Sequence, residues 1–137
     1  MNVKMHVGTM FECRTISTLL DYCCKKEKNW SIYEPVVDDI GIDLVVRTSA
    51  GHYTDIQVKG RTKRRYFTIS DFTPRDYYWF VFYFWDKNSE TENRYILSSY
   101  EVKQLLSKWG HIHLTPDMKE YKKRTYDCLE TDGKIAK

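Results

Sequence analysis

Asp43 and the tripeptide Gln57-Val58-Lys59 offer a carboxylate, an amide oxygen, a main-chain carbonyl and an amine at matched positions of one sequence pattern. Oxygens of this kind hold a hard divalent cation, and an amine beside them can serve a phosphate or a water. The run Gly41-Ile42-Asp43-Leu44-Val45-Val46-Arg47 alternates apolar and polar residues. Residues 48–52 read as a connection, and Tyr53-Thr54-Asp55-Ile56-Gln57-Val58-Lys59 resumes the alternation. This is the period of strands, and the spacing predicts an antiparallel hairpin. With Arg47 opposite Tyr53, Asp43 falls opposite Gln57, and directly opposed side chains share a face with Cβ atoms about 5 Å apart. Lys59 follows Gln57 by two and shares that face, opposite Gly41, which has no side chain to fill the space. Ile42, Leu44, Val46, Ile56 and Val58 then point into a core.

Hydrolysis of a phosphodiester needs a nucleophilic water, charge stabilisation on the phosphoryl oxygens and relief for the leaving oxygen; a divalent cation serves all three. Mg²⁺ or Mn²⁺ takes oxygen ligands and keeps several waters, so few protein ligands suffice. Asp43 would supply the anionic ligand, the Gln57 side-chain oxygen a neutral one and the Val58 carbonyl a third. Lys59 would orient or deprotonate the attacking water, because a positive neighbour and partial burial lower an amine's pKa. Equally, it would stabilise the pentacovalent phosphate. In the plain structural alternative, Asp43 and Lys59 form a cross-strand ion pair and Gln57 is solvated.

Elements before and after must hold this hairpin. Thr9-Met10-Phe11-Glu12 has the form of a capping box and leads into a helical pattern that runs to about Lys28. Ile16, Leu19, Leu20 and Cys23 form the expected buried stripe, with Glu12 at its centre, where an acid seldom sits without a partner. A metal at Asp43 would be such a partner, reached directly or through water; completing the capping box with Thr9 is the other reading, and the two are compatible. Residues 31–35, 66–69, 77–85 and 94–97 read as further strands. The near-continuous aromatic character of 77–85 implies burial on both faces or one face against a partner subunit, so monomer and homodimer are both open. Ser98-Ser99-Tyr100-Glu101 is a second capping box. It opens a helix with Val102, Leu105, Leu106 and Trp109 on one face and Gly110 at its end. Thr115-Pro116 predicts the start of a last helix in which Met118, Tyr121, Thr125 and Cys128 share a face.

The chain has 137 residues, enough for one domain (1–130, with 131–137 as a flexible tail) and a core that needs no disulfide or structural metal. A formal charge of +3, 42% hydrophobic and 30% charged residues describe a soluble globular protein. Cys13, Cys23, Cys24 and Cys128 lack the paired spacing of a zinc site, and reduced thiols in a cytoplasmic protein are the simplest account. The first ten residues lack a signal region. No stretch reaches the roughly 20 apolar residues of a membrane span.

With these residues placed, the chain resembles the PD-(D/E)xK nuclease superfamily, which has an acid in the first helix, an acid on the second core strand and (D/E)xK on the third. Gly41-Ile42-Asp43 and Ile56-Gln57-Val58-Lys59 are similar to the Gly-x-Asp and (E/Q)-V-K elements of archaeal Holliday-junction resolvases and of uncharacterised bacterial endonuclease-like families. The likeness covers about residues 8 to 70 well and the later strand and helix more loosely. It implies an α/β, restriction-endonuclease-like fold, a central mixed β-sheet flanked by helices, with Mg-dependent cleavage of DNA. Carried over by position, Glu12, Asp43 and Gln57 would be metal ligands and Lys59 the catalytic lysine. Two positions depart: Ile42 replaces the nominal proline, and Gln57 replaces an acid, which removes one negative charge and weakens metal affinity.

After Lys59 comes Gly60-Arg61-Thr62-Lys63-Arg64-Arg65. Arg61, Lys63, Arg64 and Arg65 would neutralise phosphates of bound DNA with strong salt dependence; a solvated turn is the bland alternative. Tyr66 and Phe67 could stack on an unpaired base or pack in the core. Lys119, Lys122, Lys123 and Arg124 form a basic face of the last helix, and Lys25, Lys26 and Lys28 fit the first helix's dipole. His111 and His113 share a strand face without an evident third ligand. Asp55 shares the Gln57 face as a substitute ligand, and Asp38 and Asp39 suit a bend before Gly41. The rival to catalysis is a silent module of the same fold that binds nucleic acid or protein.

Overall fold

The computed structural model describes residues 7–35 and 41–134. Asp38 and Asp39 lie outside the described residues. The first helix, α1 (Val7–Lys25), begins ahead of Thr9, so Thr9 is a helical residue and not the N-cap of a box with Glu12. No proline precedes Thr9 to stop the helix from starting earlier. It closes sooner than expected. Glu27 takes a left-handed conformation (φ 54°), and the Lys28 N–H returns to the Cys23 carbonyl at 2.9 Å, a Schellman-type ending. The buried row of α1 is Phe11, Thr15, Leu19 and Tyr22, rotated by one residue from the stripe expected through Glu12. Ile16 and Cys23 flank it and are partly buried, whereas Leu20, expected in the stripe, is turned out by that rotation and is 57% exposed. Thr15 is tolerated in the core because its hydroxyl bridges the Phe11 carbonyl (2.8 Å) and the Tyr83 hydroxyl (3.0 Å).

Among the described residues, seven strands follow the helix: β1 (Ser31–Tyr33), β2 (Leu44–Arg47), β3 (Tyr53–Arg61), β4 (Tyr66–Phe67), β5 (Tyr78–Asp86), β6 (Thr91–Ser98) and β7 (Ile112–His113). Five form a mixed sheet in the order β1-β2-β3-β5-β6, in which only the β3–β5 pairing is parallel. β4 and β7 make a separate antiparallel ribbon. The α/β architecture is therefore the expected one, a central mixed sheet between helices. One face of β5 sends Trp79, Val81 and Tyr83 to a core with α1, and the other sends Phe80, Phe82 and Phe84 to a second core. The aromatic run is thus buried on both faces within the chain.

The second core is closed by α2 (Ser99–Trp109). Its expected capping box forms in full, with Ser98 and Glu101 bonded reciprocally, and Gly110 (φ 76°) ends it by returning its N–H to Leu106. Val102 is buried, whereas Trp109 is 60% exposed and does not join the buried face. The last helix is shorter and later than Thr115-Pro116 suggested. The Thr115 carbonyl accepts the Met118 N–H in a turn, and α3 spans only Lys119–Lys123. Arg124 then turns extended, because its guanidinium grips both oxygens of Glu101 (2.5 and 2.7 Å) and the Ile96 carbonyl (3.0 Å). A 3-10 turn at Tyr126–Glu130 follows. Met118 and Tyr121 consequently pack in the second core while Cys128 packs in the first, so the single face expected of them is split. Residues 131–133, expected to be loose, pack where β5 begins and β6 ends: the Asp132 carbonyl accepts from Tyr77 N–H, and Gly133 lies against Ser98 and Trp79. Among the described residues, no helix is long and apolar enough to cross a membrane.

Candidate functional site

The β2–β3 register is the predicted one, Arg47 opposite Tyr53 through Leu44 opposite Ile56. At Asp43 the ladder breaks. Its N–H goes to the Ile56 carbonyl at 2.9 Å, on the residue already opposite Leu44, so the chain bulges and β2 leaves the sheet. Gly41 (φ 73°) takes the left-handed conformation that this departure uses. Beyond Ile56, β3 has no main-chain partner on that edge among the described residues. The Asp43 carboxylate fills the gap: Oδ2 accepts the Val58 N–H at 2.7 Å. In a paired strand the N–H and C=O of one residue face the same edge, so the Val58 carbonyl is turned toward this gap as well. Asp43 therefore does not stand squarely across from Gln57 as expected, but at the open edge of β3 beside Val58.

Gln57 and Lys59 project from the opposite face to Val58, since they partner Phe80 and Phe82 across the parallel pairing. Both are half-buried. They line a cleft of about 390 Å³ with Gly41, Ser70, Phe72 and Tyr78. Gly41 packs against the Gln57 amide and not opposite Lys59; a Cβ there would come within 3.4 Å of Nε2. The bulge at Asp43 accounts for the shift. Tyr78 donates its hydroxyl to Gln57 Oε1 at 3.0 Å. Burial pushes the Tyr78 phenol above its ordinary value, Arg75 opposes this, and Asp55 and Asp43 add to the rise. The hydroxyl thus stays protonated and able to donate at neutral pH. Tyr78 was not foreseen; the available signal was a phenol in a run suited to phenylalanine. Asp55, considered as a substitute ligand, is ion-paired with Arg75, whose guanidinium lies 4.6 Å above the Tyr78 ring.

The leading helix covers the other side of the sheet. α1 packs on Leu44, Val46, Ile56 and Val58, so Gln57 and Lys59, on the face of Phe80 and Phe82, do not lie beneath it as the stripe through Glu12 implied. Glu12 flanks the buried row and is half-buried. Its neighbour Phe11 lies directly on Gly60 and stacks on Tyr83 (5.3 Å between ring centroids), which sets Glu12 near the Lys59 and Gly60 end of β3.

The basic segment divides in two. Arg61 closes β3 and lies 5.5 Å over the Phe67 ring; Arg65 lies 4.5 Å over Phe84 and 3.7 Å from Asp86. Lys63 and Arg64 are exposed to solvent. Phe67 belongs to the core and Tyr66 is 40% exposed, so the adjacent aromatics split between the two readings made of them. The His111 ring lies against Tyr66, tilted by 31°, with centroids 4.4 Å apart. Among the described residues, no three His, Cys, Asp or Glu side chains are grouped so as to hold a metal. Lys119, Lys122 and Lys123 are exposed, while Arg124 is withdrawn from their face by Glu101. Lys28 is likewise engaged, with Glu130 at 3.1 Å.

The chain matches no protein-family model and no curated protein sequence. Among solved structures, it is similar to a bacterial homing endonuclease, I-Ssp6803I, with a TM-score of 0.59 and 20% identity over 90% of this chain and 90% of that one. At that identity the likeness is one of fold.

Proposed function

We propose that this protein is a metal-dependent endonuclease of the PD-(D/E)xK type that hydrolyses DNA phosphodiester bonds. The observation that carries the reading is the early exit of β2, which brings the Asp43 carboxylate to the Val58 N–H on β3, the strand whose Gln57 and Lys59 line a cleft with Gly41. The likeness in fold to a protein described as a homing endonuclease supports it.

The donor set fits Mg²⁺ or Mn²⁺ by its chemistry: one carboxylate, one amide oxygen and one main-chain carbonyl are hard oxygens, and few are needed by an ion that keeps several waters. Asp43, Gln57 and the Val58 carbonyl would hold it, with Glu12 the further acid at that end of β3. Bound there, a divalent cation supplies a nucleophilic water and charge stabilisation on the phosphoryl and leaving oxygens. Lys59 brings a positive charge and three N–H donors to the phosphate and the water. Tyr78 holds the Gln57 amide in one orientation, and a carbonyl oxygen with two lone pairs can accept from it and still face the cleft. Lys63 and Arg64 take flanking phosphates.

The test is incubation of the purified protein with duplex, branched and single-stranded DNA in Mg²⁺, Mn²⁺ or chelator. Cleavage is expected with metal, and Asp43→Ala or Lys59→Ala is expected to lower it by about 100-fold or more. Equal cleavage by all three proteins would sink the assignment. One observation favours a second reading: Gln57 brings no charge, and its oxygen already accepts from Tyr78. A silent nucleic-acid- or protein-binding module of the same fold would bind DNA with strong salt dependence, ignore divalent metal and keep its affinity in Asp43→Ala.

A further inference from the structure

A second cleft, of about 330 Å³, opens between the last turn of α2 and β7. Leu105 and Met118 form its apolar lining, Trp109 and His111 give it ring surfaces, and His113 and Asp117 bring polar groups to it. Trp109 is the most exposed of the large hydrophobic side chains among the described residues. The Lys108 ammonium lies 5.1 Å over its ring, and Tyr66 packs on His111 from the neighbouring strand. The basic segment reaches this place through the chain itself. Tyr66 stands opposite His113 in the β4–β7 ribbon, and the Arg65 carbonyl accepts the Leu114 N–H at 2.8 Å. Exposed Lys63 and Arg64 therefore immediately precede the ribbon that carries the cleft.

We infer that this cleft takes an unpaired nucleobase of a bound nucleic-acid strand, with phosphates of the same strand on Lys63 and Arg64. Aromatic and imidazole faces stack on any base, and the positive side chains beside them follow the backbone. Asp117 fixes the polarity of the arrangement. A carboxylate at the cleft repels phosphate but accepts hydrogen bonds from the N–H groups of a base edge, so the base enters and the phosphates remain outside. The inference rests on the nucleic-acid reading given above and adds to it a preference for unpaired or extruded nucleotides.

Binding is measured in chelator, to prevent cleavage, by fluorescence anisotropy of three labelled probes: a short perfect duplex, the same duplex with one extra unpaired nucleotide, and the single strand. The bulged duplex is expected to bind about tenfold tighter than the perfect one, the value of one stacked base. Trp109→Ala should bring that ratio to about one, and Trp109→Phe, which keeps a ring, should retain most of it. Lys63→Ala should weaken all three probes and leave the ratio intact. A ratio of one in the unmodified protein, or a tenfold ratio surviving in a folded Trp109→Ala variant, overturns the inference. If metal-dependent duplex cleavage persists alongside either result, the nuclease reading stands without it. If no probe binds at low salt, both fall together.

Discussion

Replacing Asp43 by alanine and by asparagine separates two tasks of one carboxylate. Its Oδ2 accepts the Val58 N–H at 2.7 Å, and Val58 is 7% exposed, so the bond closes a buried strand edge that β2 has vacated. A hydrogen bond to an ionised acceptor contributes about 1.5–3 kcal/mol, and one between neutral groups about 0.5–1.5 kcal/mol. Asparagine has nearly the same shape and keeps a carbonyl acceptor. Its expected cost is therefore about 1 kcal/mol, against about 1.5–3 kcal/mol for alanine. In a domain of this size, that is a fall in Tm of roughly 4 °C against roughly 6–12 °C. Catalysis divides differently. If the negative charge holds the cation, both variants lose about 100-fold or more in cleavage at temperatures where each is folded. Thermal melts and urea titrations give the first comparison, and cleavage of a labelled duplex in Mn²⁺ gives the second. An asparagine variant that cleaves like the original protein refutes the ligand role. One that is as unstable as the alanine variant refutes the account of the strand edge.

Two further outcomes follow from the packing around this site. In Gly60→Ala the new Cβ would lie 1.9 Å from Phe11 Cδ2, where ordinary contact begins at 3.4 Å, so the Phe11 ring and α1 must retreat. Overpacking of this kind costs about 1–3 kcal/mol or more by urea titration, and combining it with Phe11→Leu should recover part of that loss; strictly additive losses would refute the clash. In Lys63→Ala/Arg64→Ala, the slope of log binding constant against log salt should fall by about 2 in a duplex titration, since two exposed cations are removed; an unchanged slope would exclude both from phosphate contact.

Local chemistry was readable from residue order alone. The Arg47–Tyr53 register, the Ser98–Glu101 capping box, the Gly110 ending and the two-sided burial of β5 are all set by strand period, by groups three residues apart or by an unbroken apolar run. The chemical character of Asp43, Gln57 and Lys59 was equally plain. Their arrangement was decided elsewhere. The bulge that ends β2 at Leu44 brings Asp43 to Val58 and Gly41 to Gln57, and no periodicity announces it. The parallel partnership of β3 with β5 sets Tyr78 where it can hold the Gln57 amide, across a gap in sequence that local pattern does not span. Likewise, Glu101 draws Arg124 out of a face on which composition alone had placed it, and the packing of Phe11 on Gly60 turns α1 so that Glu12 flanks its buried row. Hydrogen bonds and periodicities act between near neighbours and can be read in order; the choice among distant partners depends on which surfaces bury best together, and that exists only once the chain has closed on itself.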